Sequence, residues 1–295
     1  LGMTPIYLVG SEKQKRKYIP PLASGEMIGA FGLTEASAGS DAAATKTTAV
    51  KKGDEWIING SKVFTTNAGV AGVISITAKV IENDEEKGIG AFIIETDNPG
   101  LRLGPKEKKM GWNASDTRQI FFEDLHVSDE QRLGKQVDGF RTFLKALVGG
   151  RISVGALSCG TAEGAYSAAL NYSHEREAFG KPIHKFQSVG FKLADMATEI
   201  EASKLLVYQA AKKYDEGHNV VKEAAMAKLF ASETAMKTTT EAIQVFGGYG
   251  YIKEYPAERF FRDAKVLTIG EGTSEIQKII ILREILKSLD NAISV

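Results

Sequence analysis

The sequence is short of several things, and each shortage excludes something. It holds one cysteine, Cys159, among small and apolar residues. One cysteine permits no internal disulfide, which fits a reducing compartment. Neither sign of charge dominates: 37 Lys and Arg face 37 Asp and Glu, for a formal net charge of zero. That removes the general electrostatic pull toward nucleic acid. The basic run from Lys106 to Lys109 is short enough to read as a solvated face. No uninterrupted apolar stretch is long enough to suggest a membrane span, and no basic-then-apolar leader opens the chain. The four histidines, His126, His174, His184 and His218, lie far apart without ligand spacing, so no metal site is expected. There is no internal repeat and no low-complexity tract. What is present is ordinary globular material, 43% hydrophobic and 25% charged, enough for one large or two moderate cores.

The texture changes twice along the chain. Residues 1–29 read as short helices, with a capping-box pattern at Ser11–Gln14 and a stop at Pro20-Pro21. Residues 30–133 read as strands. Trp56-Ile57-Ile58 and Val63-Phe64-Thr65 flank Asn59-Gly60, a hairpin signal, and Lys52-Gly53-Asp54 marks another turn. Val73 to Val80 and Ile89 to Glu95 alternate, and Gln119 to Val127 is β-branched and aromatic. Short strands without long helices between them predict an antiparallel barrel or sandwich. Residues 134–295 read as helices. Val189, Leu193, Met196, Ile200, Val207, Ala210 and Tyr214 form one stripe, stopped by Gly217. With segments 137–175, 220–246 and 274–289 this makes four long helices, the content of an antiparallel bundle. The expected fold class is therefore α+β multidomain.

Five stretches could carry chemistry. In Ile269-Gly270-Glu271-Gly272-Thr273-Ser274-Glu275-Ile276-Gln277 two glycines flank a carboxylate, so a ligand can approach the backbone closely. Ser274 and Gln277 have capping-box spacing, and Ile276, Ile279, Ile280 and Leu286 continue as one apolar face. Glu271 would then precede a helix N-terminus, where free N–H groups can hold a phosphate. A plain capped helix with a solvated Glu has the same local pattern. Phe31 through Asp41 mixes glycines and hydroxyls, suited to a polar ring edge or phosphate, or to a plain surface loop. Phe64-Thr65-Thr66-Asn67 could stack on a planar cofactor, or place an aromatic in a barrel core. Gln244 through Gly250 has a glycine pattern that ends a helix instead of following a strand, so it is not a dinucleotide fingerprint. It is a helix C-cap or a backbone cradle. Arg176-Glu177-Ala178-Phe179-Gly180 offers a guanidinium for a pyrophosphate, or a surface charge.

In this order and spacing, the stretches resemble the acyl-CoA dehydrogenase family. Gly32-Leu33-Thr34-Glu35 with Gly39-Ser40-Asp41 is similar to one family signature. Gln244 to Gly250, continuing to Glu254, Arg259 and Asp263, is similar to a second. Glu271-Gly272-Thr273-Ser274 is similar to the segment carrying the family's usual base. The resemblance implies a β-barrel domain (30–133) followed by a C-terminal four-helix bundle (134–295), with FAD between them, commonly in a homotetramer. It implies that Phe31, Leu33, Thr34, Gly39, Ser40, Phe64, Thr65 and Thr66 line the flavin of their own subunit. Arg176, Phe179, Gln187, Gln244, Val245, Phe246, Gly247 and Gly248 would contact the FAD of a neighbour. Thr273, Ser274 and Glu275 would meet its phosphate-bearing half. Ser40, Val148, Gly149, Gly150, Arg151, Gly270 and Gly272 would contact the acyl-CoA. Glu271 would take the α-proton of the thioester and the flavin the β-hydride, giving a trans-2-enoyl-CoA. The electrons would pass to an electron-transfer flavoprotein. A bacterial cytoplasm and a mitochondrial matrix are both consistent with the resemblance.

Three departures qualify it. Gly270 stands where the family often has Tyr, which widens the pocket and suggests a branched or bulky acyl group. Phe64 stands where many members have Trp. Residues 1–29 resemble only the end of the family's N-terminal helical domain, so the chain is expected to be either a piece of a longer protein or a shortened member. Some members place the base near residue 150; Gly150 offers no carboxylate to compete with Glu271. Two other functions stay open on sequence alone: an acyl-CoA oxidase that reduces oxygen, and a non-catalytic acyl-CoA- or protein-binding remnant.

Overall fold

The computed structural model describes residues 1–134 and 138–293. The chain divides into two compact units: Leu1–Lys109 with Asn113–Leu147, and Met110–Trp112 with Val148–Val295.

The first unit is built on an eight-stranded sheet with path order β6-β7-β3-β2-β4-β5-β8. The strands are β1 (Gly29–Gly32), β2 (Thr48–Lys52), β3 (Glu55–Thr66), β4 (Val73–Glu82), β5 (Glu85–Glu95), β6 (Leu101–Lys106), β7 (Thr117–Ser128) and β8 (Arg132–Leu133). Most pairs are antiparallel, as expected, but β4 receives β1 and then β2 in parallel along one edge. The sheet curls on itself. Trp56 on β3 meets Phe92 on β5 edge-to-face at 5.4 Å, although β2 and β4 separate those strands in the path. Ala49, Ile58, Ile76, Val80, Ile94, Ile120 and Phe122 fill the same interior. Alternation on one side of the curl puts every second residue there, as in a barrel.

The sequence expectation fails in two places in this unit. Asn59-Gly60 does not close a hairpin: β3 runs straight through it. Gly60, at φ +141°, takes the positive φ of a bulge, and the register against β7 shifts between Ile58 and Gly60. The real hairpin turns at Gly53, between β2 and β3. Likewise Pro20-Pro21 does not end the helix. The unit's two N-terminal helices are α1 (Thr4–Val9) and α2 (Glu12–Ser24), and α2 carries both prolines inside it. The predicted capping box at Ser11 and Gln14 is present, and the Gln14 amide also donates to the Glu130 and Arg132 carbonyls at 2.7 and 2.9 Å. β4 is buried on both faces, with Val73 and Ser75 turned away from the barrel core toward the α1–α2 side.

The helical unit holds the four expected long helices: α3 (Gly139–Glu175, its first turns among first-unit residues), α4 (Gln187–Asp215), α5 (Val221–Phe246) and α7 (Ser274–Ile293). The shorter α6 (Ala257–Lys265) lies between the last two in sequence. Val137, the expected start of α3, lies outside the described residues, as do residues 135 and 136 next to the expected 133/134 boundary. α3 is long and apolar enough to cross a membrane by length and composition. However, 44% of its most apolar window is buried, and Ala165 and Ala169 pack with Leu193 and Val245, as in a core helix. The α4 stripe is buried at Leu193, Met196, Ile200, Val207 and Ala210, with Ser203 completing it.

Candidate active site

Within the helical unit, one turn is held by two helices and packed against a third. Glu271 sits between the short 3-10 turn Val266–Thr268 and α7. Glu271 and Gly272 have φ values of +54° and +97°, two successive residues in the left-handed region. A non-glycine residue there costs on the order of 1 kcal/mol and persists only where its surroundings fix it. Here Gln277 Nε2 donates to the Glu271 and Gly272 carbonyls at 3.2 and 2.9 Å. Lys228 Nζ, from α5, donates to the Gly272 carbonyl at 2.9 Å. The expected capping box does not form. Thr273 Oγ1 accepts from the Ile276 N–H, Ser274 turns inward to donate to Glu233, and Gln277 is committed to the turn.

This turn drives the Glu271 carboxylate against α3 at Gly150. A Cβ on Gly150 would lie 2.0 Å from Glu271 Oε2 and 2.8 Å from its Cδ, so only glycine leaves the carboxylate its place. Oε2 is buried and has no hydrogen-bond partner among the described residues. Burial pushes the Glu271 carboxyl above the usual carboxylate range, opposed by the charges of Arg151 and Lys228. Arg151 is itself buried, its Nε without a partner. Among the described residues the Glu271 backbone N–H also has no acceptor, whereas those of Ile269 and Gly270 both reach the Val266 carbonyl. The result is a poised carboxylate with a backbone donor beside it, the parts of a base next to an oxyanion site. Of the residues expected to contact acyl-CoA, Gly150, Arg151, Gly270 and Gly272 gather here, with Val148 and Gly149 one turn of helix or less away.

Elsewhere in the helical unit, Arg176, Val245, Phe246, Gly247 and Gly248 line a cavity of about 420 Å³, joined by Tyr172, Ile183, Tyr249 and Ile252. Arg176 lies over the Tyr249 ring at 5.8 Å. Phe179 is almost fully exposed nearby in sequence, while Gln187 and Gln244 are exposed and do not line the cavity. Thr273 is half-buried and Glu275 exposed at the start of α7.

In the barrel unit, the expected flavin residues fall into two groups. Phe64, at φ +56°, exposes 68% of its surface beside the buried Thr65, whose Oγ1 has no partner, and the exposed Thr66. Leu33 and Thr34 are half-buried, Gly39 and Ser40 exposed, and the Phe31 ring is occupied by stacking on Phe143 at 4.3 Å. Sequence reasoning missed what fixes this loop. Glu35 is buried and accepts from Lys62 Nζ at 2.7 Å, from the Lys46 and Thr47 N–H groups at 2.6 and 3.1 Å, and from the Thr45 hydroxyl. Burial would raise its carboxyl, but Lys62, Thr45 and Lys46 outweigh that and hold it at about 2. Lys228 was missed as well. The available signal was its place in a stripe otherwise made of Ala224, Ala231 and Ala235. Among the described residues no His, Cys, Asp and Glu cluster could hold a metal.

Comparison with known proteins gives the same outline. Residues 30–125 match the family model described as acyl-CoA dehydrogenase, middle domain, and residues 137–286 the one described as acyl-CoA dehydrogenase, C-terminal domain. The family's N-terminal domain is not matched. A probable acyl-CoA dehydrogenase of Bacillus subtilis, YngJ, is 49% identical over 288 residues, covering 97% of this chain and 76% of that protein. The structure of butyryl-CoA dehydrogenase from Megasphaera elsdenii superposes with a TM-score of 0.93 at 47% identity, covering 96% of this chain and 74% of that one. A chain of a structure described as the electron transferring flavoprotein of Acidaminococcus fermentans superposes with a TM-score of 0.94 at 51% identity, covering 97% and 75%. Relatives described as bacterial and as mitochondrial both match. A curled sheet unit, a helical unit and a buried carboxylate at the foot of its last helix thus coincide with matches over nearly the whole sequence, and the chain belongs to the acyl-CoA dehydrogenase family of flavoprotein oxidoreductases.

Proposed function

We propose that the chain dehydrogenates a saturated acyl-CoA between its α and β carbons, with Glu271 as the base, to give a trans-2-enoyl-CoA. The observation that carries this reading is Glu271 Oε2, buried without a partner against Gly150. The α-proton of a thioester is weakly acidic, so its removal needs a close base and a donor for the developing enolate oxygen. Glu271 supplies the carboxylate, and its free N–H is the donor. The charges of Arg151 and Lys228 oppose the rise in its pKa that burial causes.

Family members depend on FAD. The residues present fit it: an exposed Phe64 ring beside the orphaned Thr65 hydroxyl suits a flat polar ring, and Arg176 over the Gly247–Gly248 cavity suits a phosphate-bearing end. When bound, FAD supplies the acceptor for the β-hydride. Phe31, Leu33, Thr34, Gly39, Ser40 and Thr66 are proposed to hold it from the barrel unit. Phe179, Gln187, Gln244 and Thr273–Glu275 are proposed to hold it from the helical unit, in a neighbouring copy of a homotetramer where the family arrangement applies. An electron-transfer flavoprotein is the proposed acceptor, supported by the 51% identical chain from a structure of that description.

At Gly270 an added Cβ would meet only the Val266 carbonyl, at 3.4 Å. The open space there supports a branched or bulky acyl group. Turnover should favour branched over straight acyl-CoAs of equal length; equal or straight-preferring rates count against that detail. The main reading is tested with Glu271→Gln, which should keep FAD and acyl-CoA binding and lose turnover. Near wild-type bleaching of the flavin by substrate in that variant defeats the assignment.

A further inference from the structure

α5 carries Lys228 fully buried on the face it shares with Ala224, Ala227 and Ala231. A lysine almost never lies there unless something compensates it. The compensation is the Gly272 carbonyl, which accepts from Lys228 Nζ and from Gln277 Nε2, both at 2.9 Å. That oxygen belongs to the second of the two left-handed residues that aim Glu271 at Gly150. Gln277 holds the turn from α7, and Lys228 holds it from α5. Arg151, the other cation near the carboxylate, is buried, and its Nε has no partner among the described residues.

We propose that Lys228 is a positioning residue for the base, its ammonium locking the Glu271–Gly272 turn and setting a positive charge beside the Glu271 carboxylate. The inference rests on the reading of Glu271 as the base.

Within the helical unit, the charged groups around Glu271 are Arg151 from α3 and Lys228 from α5. Around Lys228 they are Glu271, Glu233 on its own helix, Arg151, and Glu275 on α7; Arg283 of α7 acts on Arg151. Burial pulls the Lys228 ammonium down to about 8, with Glu271 and Glu233 opposing, so it is charged below that pH. Removing this charge disfavours the ionised carboxylate, so the Glu271 pKa must rise. The acid limb of the pH–rate profile must then move to higher pH. A lysine that only fills space would lower the melting temperature and leave that limb in place.

The test compares Lys228→Met, Lys228→Gln and Lys228→Arg with wild type as FAD-loaded protein, with melting temperature and flavin content recorded. The acid-side midpoint of kcat/KM for acyl-CoA should move up by about one pH unit in the Met and Gln variants. Their kcat should fall roughly tenfold or more as the turn loosens, and Arg should restore the midpoint. The infrared band of the protonated Glu271 carboxyl, identified by its loss in Glu271→Gln, should persist to correspondingly higher pH. A wild-type midpoint in folded Lys228→Gln overturns the proposal, and that variant decides the matter if Met does not fold. Glu271→Gln separates the two readings. If it still reduces flavin with substrate, the base assignment fails. If it is inactive while Lys228→Gln is unshifted, only the role of Lys228 fails.

Discussion

At the scale of single residues, the site depends on an absence of side chain as much as on a presence. Gly150 sits inside α3, where glycine costs up to about 1 kcal/mol relative to alanine. The cost is tolerated because the Glu271 carboxylate lies where a Cβ would be, 2.0 Å from Oε2. Gly150→Ala should therefore separate stability from activity. The helix gains propensity while the carboxylate is displaced, so the melting temperature should hold or rise. The kcat should fall on the order of a hundredfold, the scale expected when a reacting group moves by about 1 Å. Thermal melts alongside steady-state rates check this; wild-type turnover in a well-folded Gly150→Ala protein would mean that Glu271 does not work from the position seen here. At Gly149, the preceding residue, a Cβ would meet the Tyr214 hydroxyl at 3.4 Å and not the carboxylate, so Gly149→Ala should leave Glu271 in place.

At the scale of elements, the loop after β1 is tied into the barrel by one buried ion pair. Lys62 and Glu35 are 2.7 Å apart and almost wholly enclosed. Glu35 has its folded pKa near 2 against an ordinary 4.5. A depressed carboxylate contributes stability that is complete above the unfolded pKa and is lost as pH falls through the folded one. The window is therefore from about 4.5 down to about 2, and the contribution is roughly 3 kcal/mol. Denaturant unfolding across that window should show the loss. Glu35→Gln should flatten it while costing roughly 3–5 kcal/mol at neutral pH, because Lys62 is left buried without its counter-charge. The loop's flavin contacts should loosen with it, read as faster FAD release; unchanged stability at neutral pH would refute the role given to the pair. This element also shows what the sequence could and could not disclose. The glycine- and hydroxyl-rich motifs, the α4 stripe and the position of Glu271 before a helix were all legible, because each is a local pattern. Glu35 and Lys228 were not, because a charged residue, in a loop or on a helix, reads as a surface charge until its partner, 27 or 44 residues away, is known. Asn59-Gly60 misled because a bulge and a hairpin ask for the same positive φ. β6 was missed because Leu101–Lys106 buries only Gly104, so it carries no apolar alternation to read.

At the scale of the whole molecule, α7 leaves a question that its own unit does not answer. Its inward face is packed: Ile280 and Gln277 are buried. On its outward face Ile279, Leu282, Leu286 and Leu289 are 60, 57, 50 and 53% exposed. Their spacing alternates three and four residues, the heptad seam by which helices pair. Leaving such a row in water forgoes burial of about 25 cal/mol per Å² of apolar surface. A second copy of the same helix, related by a two-fold axis, would present the matching seam, since such an interface is self-complementary. This is the physical support for the proposed homotetramer, and it makes a prediction. Leu282→Glu with Leu286→Glu places like charges opposite one another across the axis, on a face outside the unit's packed core clusters. The fold should survive, seen as unchanged helical circular dichroism. The mass measured by light scattering should drop from the tetramer to a smaller species. FAD retention should weaken at the same time, because Arg176 and the Gly247–Gly248 cavity are proposed to serve the cofactor of a neighbouring copy. If the double variant keeps the wild-type mass, or if wild type is itself a monomer with tightly held FAD, the seam is not the assembly surface and each chain must hold its cofactor alone.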